Sequence, residues 1–353
     1  MSELRIHLDA FRHNVATLAA IAAPARTMLA VKADAYGHGM LEVARAALEA
    51  GADSLAVLEV PAALELRDAG LTVPLFAWLH GADTDFAAAI AREVDLGVSG
   101  LEELRRIAAA AGPAVAAVHL KIDTGLHRNG ASAEEWPALV REALAEQRAG
   151  RVRIAGLWSH LADASPEADA AALAEFQRAV EVAGRLGVPL EGPERAVLHL
   201  AASSAGIREP EARFDLVRFG IAAYGVSPFD DVDGPGLGLR GTMTLRAEVL
   251  RVGDGVAVLD VGAADGIPPS VLGASGSGAE VLLCGRRVAV LRVEVDTLEV
   301  EAPADAVAGD VAIVYGPGDA GEPTVEQWAA WAGTIGDEIL ARASRRVPRV
   351  VEG

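Results

Sequence analysis

Short apolar runs alternate with longer helical segments over residues 1–225 of the chain. The short runs predict strands, and the Ala-, Leu-, Glu- and Arg-rich segments between them predict helices. We predict strands over residues 4–8, 27–31, 54–57, 73–78, 96–98, 115–122, 154–158, 197–200 and 216–219. Helices are predicted over residues 9–22, 41–50, 61–69, 83–92, 101–111, 134–148 and 166–186.

About eight strand–helix units with short loops are typical of a parallel sheet closed as a (β/α)8 barrel, the α/β fold also called a TIM barrel. An open, doubly wound sheet is the alternative. No G-x-G-x-x-G motif follows the first strand. This absence weakens the dinucleotide-binding form of the alternative.

The pattern changes over residues 228–241, where aspartate, proline and glycine form a turn-rich linker. Beyond the linker, strands are predicted over residues 242–252, 256–261, 281–283, 288–295 and 311–314, and a final helix or helix pair over residues 324–339. We therefore predict two domains, a barrel over residues 1–230 and a smaller, mostly β domain over residues 231–353.

Composition and charge exclude several classes of partner. Apolar residues make up 52% of the 353 residues and aromatic residues only 4%, so Ala, Val, Leu and Ile must form most of the core. The formal charge of −19 argues against nucleic acid and anionic membranes as partners. The single cysteine, Cys284, allows no intrachain disulfide, and we find neither a secretory signal nor a membrane-spanning run. We expect a soluble cytoplasmic protein.

The strongest candidate for chemistry is Lys32, which follows the apolar run at residues 28–31 and precedes Tyr36 and two glycines. Such a lysine lies at the carboxyl end of a barrel strand, where barrel enzymes place their active sites. Burial lowers the pKa of a lysine amine, so that more of it is neutral and nucleophilic. This chemistry suits a Schiff base with pyridoxal 5′-phosphate (PLP). A solvated lysine at a strand end is the other interpretation.

The segment V-K-A-D-A-Y-G-H-G at residues 31–39 resembles the PLP-lysine signature of alanine racemases. Further segments match that family in its order and spacing, namely KIDTGLHR at 121–128, GLWSH at 156–160, HLAAS at 199–203 and FDLVRFGIAAYG at 214–225. The resemblance is strong over residues 1 to about 230 and is weak and broken beyond them. It implies a PLP-dependent enzyme of fold type III that interconverts L- and D-alanine or another small amino acid.

The resemblance also implies how the cofactor is held. Lys32 would form the Schiff base and exchange the α-proton on one face of the substrate. The other implied cofactor ligands are Tyr36, Ser203, Gly220 and Ile221 at the phosphate, Arg218 at the pyridine nitrogen, and His160 in the same layer. Because arginine stays protonated, Arg218 would leave the ring nitrogen unprotonated and weaken the electron sink. A salt bridge at the bottom of the barrel is the alternative role for Arg218.

Arg128 would meet the phenolic oxygen of the cofactor or the substrate carboxylate, and Lys32, Arg128 and His160 form the catalytic set that the resemblance implies. Lys121 matches a lysine that racemases often carbamylate to position that arginine. His199 matches a residue of the pocket wall, although a satisfied core histidine is equally plausible. No metal site is expected.

The second half of the family's catalytic machinery is missing from the sequence. The resemblance implies a homodimer in which a tyrosine from a Y-G-x-T-Y segment reaches the active site of the partner subunit. This chain has three tyrosines, Tyr36, Tyr224 and Tyr315, and the first two lie in barrel motifs. We infer that the tyrosine segment is deleted between Gly253 and Val256. Family positions also differ at Ala263, at residues 294–296 and at Arg345.

Racemisation by two bases needs an acid on the face opposite Lys32, and one acid–base group contributes about 10²–10⁴-fold to the rate. Three hypotheses follow from the missing tyrosine. The chain is a racemase with an unidentified second group, or a PLP enzyme of altered chemistry such as one-face proton exchange, decarboxylation or elimination. The third hypothesis is a PLP-binding protein without turnover.

Overall fold

The computed structural model describes residues 2–272 and 278–353 of the protein. Contacts divide the chain into two compact units. The first, which we call the barrel unit, comprises Leu18–Lys32 and Gly51–Gly220. The second unit comprises Ala33–Ala50, Ile221–Gly353 and the chain before Leu18. No helix within the described ranges is long and apolar enough to cross a bilayer.

Strands and helices alternate along most of the chain. The strands are β1 (Glu3–His7), β2 (Arg26–Ala30), β3 (Ser54–Val57), β4 (Leu75–Ala77), β5 (Val94–Val98), β6 (Ala116–Lys121), β7 (Val152–Trp158), β8 (Val197–His199), β9 (Leu216–Phe219), β10 (Met243–Gly253), β11 (Val256–Leu259), β12 (Glu280–Leu283), β13 (Arg286–Val293), β14 (Leu298–Glu301), β15 (Val311–Tyr315) and β16 (Arg349–Glu352). The α-helices are α1 (Leu8–Ala22), α2 (Met40–Glu49), α3 (Val60–Asp68), α4 (Phe86–Ala91), α5 (Leu101–Ala110), α6 (Trp136–Arg148), α7 (Pro166–Leu186), α8 (Ser203–Arg208), α9 (Val325–Ala332) and α10 (Gly336–Ala341). Short 3₁₀ helices span Pro210–Ala212, Ile221–Tyr224, Pro235–Leu237, Ala263–Asp265 and Pro269–Leu272.

The barrel unit contains a closed parallel sheet. Its strands pair in the order β8–β7–β6–β5–β4–β3–β2–β9. The two end strands meet as well, because the amide of Asp215 donates to the carbonyl of Leu198 (3.1 Å) and the amide of Arg218 to the carbonyl of Ala201 (3.0 Å). The closure confirms the predicted (β/α)8 barrel and excludes the open, doubly wound sheet.

Apolar side chains from several strands fill the barrel interior. Met28, Ala56, Phe76, Trp158 and Leu216 form one buried cluster. Strands β3 and β9 are buried at every position, as expected of parallel strands covered on both faces. Since all strands run in one direction, their carboxyl ends lie at one rim of the barrel, where Lys32 follows β2 and His160 follows β7.

The second unit is built on a mostly antiparallel sheet, which confirms the predicted β-rich C-terminal domain. Strands β10 to β15 contribute to it, and β10 also pairs with β11. The N-terminal strand β1 pairs antiparallel with β10 and parallel with the C-terminal strand β16. Helix α9 begins at the N-cap Thr324, whose hydroxyl accepts from the amide of Gln327 (3.3 Å).

The first predicted strand belongs to this second sheet, so its expected place among the barrel strands is wrong. Residues of β1 alternate between buried and partly exposed positions. Alternation of this kind is typical of a sheet with one covered face, whereas β3 and β9 of the barrel are buried at every position. Three short elements were absent from the prediction, namely α8, β14 and β16.

Candidate active site

Lys32 follows strand β2 and is half-buried at the carboxyl end of the barrel. The chain then enters a left-handed turn in which Ala33, Asp34, Ala35 and Tyr36 all have φ between 51° and 54°. Left-handed backbone costs roughly 1–2 kcal/mol per non-glycine residue, so surrounding contacts must hold it. The left-handed turn therefore lowers the stability of the fold, and it turns the chain sharply away from Lys32.

Side chains of the second unit hold the left-handed turn. The carboxylate of Asp34 accepts from the amide of Met40 (2.9 Å) and pairs with Arg349 (3.3 Å), and Arg349 also donates to the carbonyl of Gly37 (2.7 Å). The buried ring of His38 lies with Nδ1 3.0 Å from the carbonyl oxygens of Ala35 and Tyr36. These bonds satisfy the carbonyl groups that the turn would otherwise leave exposed to apolar surroundings.

Arg218 lies in strand β9 and is buried inside the barrel unit. Its guanidinium donates to the carbonyls of Ser159 (2.9 Å) and Leu200 (3.1 Å). It also donates to Nδ1 of His160 (3.0 Å) and Nδ1 of His199 (3.2 Å). Among the described residues no carboxylate pairs with it, so the alternative of a salt bridge at the barrel bottom is wrong.

Burial lowers the pKa of Arg218 to about 9, with a contribution from the charge of Arg128. The group is still protonated at neutral pH. The Nε–H of Arg218 has no partner among the described residues, so the guanidinium keeps donor capacity beyond its four protein contacts. A protonated, oriented donor is therefore available inside the barrel.

Lys121 ends strand β6 and is almost fully buried. Its amine donates to Oδ1 of Asn129 and lies 4.6 Å from the ring centre of Trp158. Burial and the charges of Arg128 and Arg218 lower the pKa of Lys121 to about 7. The neutral, nucleophilic form of this amine is consequently more accessible than in a solvated lysine.

Lysine is otherwise absent from the sequence, since Lys32 and Lys121 are the only two lysines among 31 basic residues. The remaining cations are arginines, which do not lose their proton at neutral pH. Both lysines thus occur where a strand of the barrel ends.

His160 follows strand β7 at the same rim. Its pKa lies well below the ordinary value because of burial first, and then because of the charges of Arg218, Arg128, Lys121 and Lys32. The predicted catalytic residues Lys32, Arg128 and His160 are therefore close enough to interact electrostatically. Arg128 is exposed, and no hydrogen bond or ion pair holds it within the described residues.

The predicted phosphate ligands are divided between the two units. In the barrel unit, Ser203 begins α8 and its hydroxyl accepts from the amide of Gly220 (3.1 Å). In the second unit, Ile221 begins a 3₁₀ helix, and Tyr36 is buried with its ring 4.6 Å from that of Tyr224. Burial and the charge of Asp337 raise the pKa of Tyr36, so its hydroxyl stays protonated.

The predicted deletion falls on a tight hairpin. Strands β10 and β11 are joined by Asp254 and Gly255 alone, both with positive φ, and Gly253 pairs with Val256. Two residues with positive φ form the turn favoured in two-residue hairpins. Tyr315 is buried, and its hydroxyl lies 3.7 Å from the sulfur of Met243.

Sequence reasoning missed three residues that contact the predicted site residues, namely His119, Asn129 and Trp158, and it missed Asp95, which contacts His119. Only Trp158 and Asn129 lie in or beside a family motif. His119 was detectable as a histidine within a mostly apolar strand, although that signal does not reveal its partners.

Comparisons with known proteins agree with this arrangement. The family description "Alanine racemase, N-terminal domain" matches residues 6–228, and "Alanine racemase, C-terminal domain" matches residues 245–351. A relative named alanine racemase from Frankia casuarinae is 42% identical, with 98% of this chain and 94% of the relative covered. The alanine racemase of Thermobifida fusca is 40% identical over 378 aligned positions, so some of its residues have no counterpart among the 353 of this chain.

A solved structure has the same fold. The alanine racemase from D-cycloserine-producing Streptomyces lavendulae superposes with a TM-score of 0.93 at 39% identity, covering 100% of this chain and 97% of the other. The alanine racemase of Streptomyces coelicolor superposes with a TM-score of 0.92 at 38% identity, covering 99% of this chain and 97% of the other. The resemblance found in the motifs is thereby confirmed, and this chain belongs to the alanine racemase family.

Proposed function

We propose that this protein is a PLP-dependent, alanine racemase-like enzyme that interconverts L- and D-alanine or another small amino acid. The observation that carries the proposal is the set of cations that the barrel strands bring to their carboxyl ends, with Lys32 after β2, Lys121 at the end of β6 and Arg218 buried in β9. Such a concentration of cations at the carboxyl end of a barrel suits a ligand with several anionic groups.

The residues present fit PLP, which combines a phosphate, a phenolic oxygen, an aldehyde and a pyridine nitrogen. Lys32 would hold the aldehyde carbon, and Arg218, with unused donor capacity, would donate to the ring nitrogen. Tyr36, Ser203, Gly220 and Ile221 would hold the phosphate, with His160 in the layer of Arg218. When bound, PLP supplies an electron sink for the charge that develops at the α-carbon of the substrate.

Proton transfer in this proposal rests on Lys32 as the base on one face. Arg128 would orient the substrate carboxylate or the phenolic oxygen by charge-assisted hydrogen bonds. Lys121, with its partly neutral amine, would be carbamylated, so that an anion would stand beside Arg128. Each role is supported by placement at the rim of the barrel.

The two-residue turn at Asp254–Gly255 favours a second candidate function, a PLP enzyme that exchanges the α-proton on one face only. It leaves no room in the hairpin for a tyrosine-bearing loop. A non-catalytic PLP-binding protein is the remaining alternative.

One experiment separates these functions. The purified protein is loaded with PLP, reduced with borohydride and digested, and the modified lysine is mapped by mass spectrometry. Because Lys32 and Lys121 are the only lysines, the adduct has two possible sites, and we expect it on Lys32. Lys32→Ala should abolish the visible absorbance of the bound cofactor, whereas Lys121→Arg should retain it.

The loaded enzyme is then given L- or D-alanine in heavy water. Exchange with inversion supports the racemase, and exchange with retained configuration supports one-face chemistry. Absence of exchange with every amino acid supplied supports the non-catalytic alternative. An adduct on Lys121, or no adduct at all, would overturn the assignment of Lys32.

We further propose the domain boundary near residue 230, a homodimer and a cytoplasmic location. The family resemblance supports the dimer, and the single cysteine supports a reducing compartment. Light scattering after size-exclusion chromatography measures the mass in solution. A mass near 36.4 kDa, that of one chain, would contradict the dimer.

A further inference from the structure

A chain of hydrogen bonds crosses the interior of the barrel unit and ends on Arg218. Oδ2 of Asp95 lies 3.3 Å from Nε2 of His119, and Nδ1 of His119 lies 2.8 Å from Nε2 of His199. Nδ1 of His199 in turn lies 3.2 Å from Arg218. Both histidines are at most 3% exposed, so water cannot replace a missing partner.

These contacts allow one arrangement of protons. Arg218 can only donate, so Nδ1 of His199 must accept and its Nε2 must carry the hydrogen. That hydrogen is donated to Nδ1 of His119, whose own hydrogen must then lie on Nε2. It is donated to the carboxylate of Asp95. Every ring nitrogen is satisfied while both imidazoles are neutral, and the bonds all point from Arg218 towards Asp95.

Packing of the neighbouring residues holds the rings of His119 and His199 in contact. The ring of Trp158 stacks on His199 at 5.7 Å and 4° between planes, and Phe76 lies against His119 at 4.8 Å. Strand β6 shifts register between Val118 and His119, which places His119 opposite Gly156. A Cβ at position 156 would lie 2.8 Å from Cε1 of His119, so the glycine leaves the space that the ring occupies.

We propose that Asp95, His119 and His199 are positioning residues that fix the orientation of Arg218 towards the ring nitrogen of the cofactor. The inference rests on the proposed function, because it concerns how Arg218 meets PLP. The histidines restrain Arg218 from rotating, and Asp95 accepts the hydrogen at the far end of the chain of hydrogen bonds. Leucine at position 95 would remove this acceptor and leave the buried Nε2–H of His119 unpaired, which would loosen the hydrogen bonds that hold Arg218.

The proton arrangement can be tested without cofactor. Histidine labelled with ¹⁵N distinguishes protonated from unprotonated ring nitrogens by chemical shift, and His119→Gln and His199→Gln assign the signals among the eight histidines. We expect Nδ1 unprotonated and Nε2 protonated in both rings of the apoprotein at neutral pH. The opposite tautomer, or a doubly protonated ring, in either histidine would overturn the proposal.

The positioning role is tested by binding two probes, PLP and its analogue with carbon in place of the ring nitrogen. Wild-type protein should prefer PLP by about tenfold, as expected for one hydrogen bond from a charged donor. In Asp95→Leu and His199→Leu the preference should fall towards one. His199→Gln, which keeps a donor and an acceptor, should restore part of it.

Asp53→Leu is the matched control, because Asp53 accepts from the amide of Thr27 elsewhere in the barrel unit. It should leave the preference unchanged. Loss of fold weakens both probes equally, so the ratio of the two dissociation constants reports on Arg218 alone. An unchanged ratio in Asp95→Leu and His199→Leu would refute the positioning role. If wild-type protein binds neither probe, the proposed function fails, while the apoprotein spectrum still decides the proton arrangement.

Discussion

Replacing Gly156 by alanine tests whether the space beside His119 is as tight as the structure shows. The added Cβ would lie 2.8 Å from Cε1 of His119 and 2.9 Å from the carbonyl oxygen of Val197. Neither neighbour can yield easily, because His119 is held between Phe76 and His199 and the carbonyl belongs to strand β8. The substitution must therefore displace the ring or separate the strands.

The expected cost follows from two terms. Overpacking of a rigid interior costs about 1–3 kcal/mol. Separating His119 from His199 leaves a buried donor and a buried acceptor without partners, which costs about 1–3 kcal/mol more. Alanine also lowers the conformational entropy of the unfolded chain relative to glycine, which offsets roughly 0.4–1 kcal/mol of this cost. We expect Gly156→Ala to lower the free energy of unfolding by about 3 kcal/mol.

Gly253→Ala is the matched control, because Gly253 also lies in a strand and a Cβ added to it would meet nothing within 4 Å. We expect a change within about 0.5 kcal/mol for this variant. Hydrogen exchange of peptides covering β6 and β7 measures the opening free energy locally, which avoids treating two units as one cooperative transition.

A double-variant cycle identifies the cause. If the ring of His119 is the obstacle, Gly156→Ala should cost at least about 1 kcal/mol less in a His119→Ala background. Equal costs in the two backgrounds would refute the reasoning about His119. A cost for Gly156→Ala no larger than that of Gly253→Ala would refute the tight packing altogether.

Two further predictions follow from the pKa values of buried groups. The pKa of Lys121 is lowered to about 7, so the mass of the intact protein in bicarbonate buffer should increase by that of one CO₂. Lys121→Arg should show no such increase. An unchanged mass of the wild-type protein would contradict the carbamylation. Burial lowers the pKa of His38 to about 4, whereas an unfolded histidine titrates near 6.5, so its contribution to stability is present above pH 6.5 and is lost as the pH falls towards 4. Between pH 7 and pH 5 this loss amounts to about 2 kcal/mol. The free energy of unfolding, measured by urea denaturation, should therefore fall by that much more in wild-type protein than in His38→Gln. Identical pH profiles of the two proteins would contradict the lowered pKa of His38.

The sequence predicted the barrel well because its strands are short, apolar and separated by strongly helical segments. Helix α7, over Pro166–Leu186, has the predicted bounds. The assignment of β1 was wrong because a strand pattern does not state which sheet the strand joins, and only its alternation indicated a sheet with one covered face. Strand β14 was missed because two of its four residues are glutamates.

The candidate site was predicted less completely than the fold, for a physical reason. Lys32, His160 and Arg218 lie in motifs, so the flanking residues in the sequence identify them as candidates. Asp95 and His119 are polar residues inside separate strands, and only the register of the closed sheet brings them together. That register includes a shift between Val118 and His119, which no local pattern in the sequence indicates.

Two groups of the described residues that could protonate the second face of a substrate, His160 and Tyr315, are poorly suited to do so. Nδ1 of His160 accepts from Arg218, so its hydrogen lies on Nε2, and donating that hydrogen would leave an imidazolate anion. Tyr315 is buried, with its hydroxyl beside Met243, and burial raises its pKa. Lys32, the proposed base on the first face, does not depend on the predicted deletion. For the one-face alternative, exchange of the α-proton should exceed inversion by about 10²–10⁴-fold, the contribution of one general acid–base group, whereas the proposed racemase should show comparable rates. Comparable rates of exchange and inversion in heavy water would contradict the one-face alternative and would direct the search for the second proton donor to the other subunit of the proposed dimer.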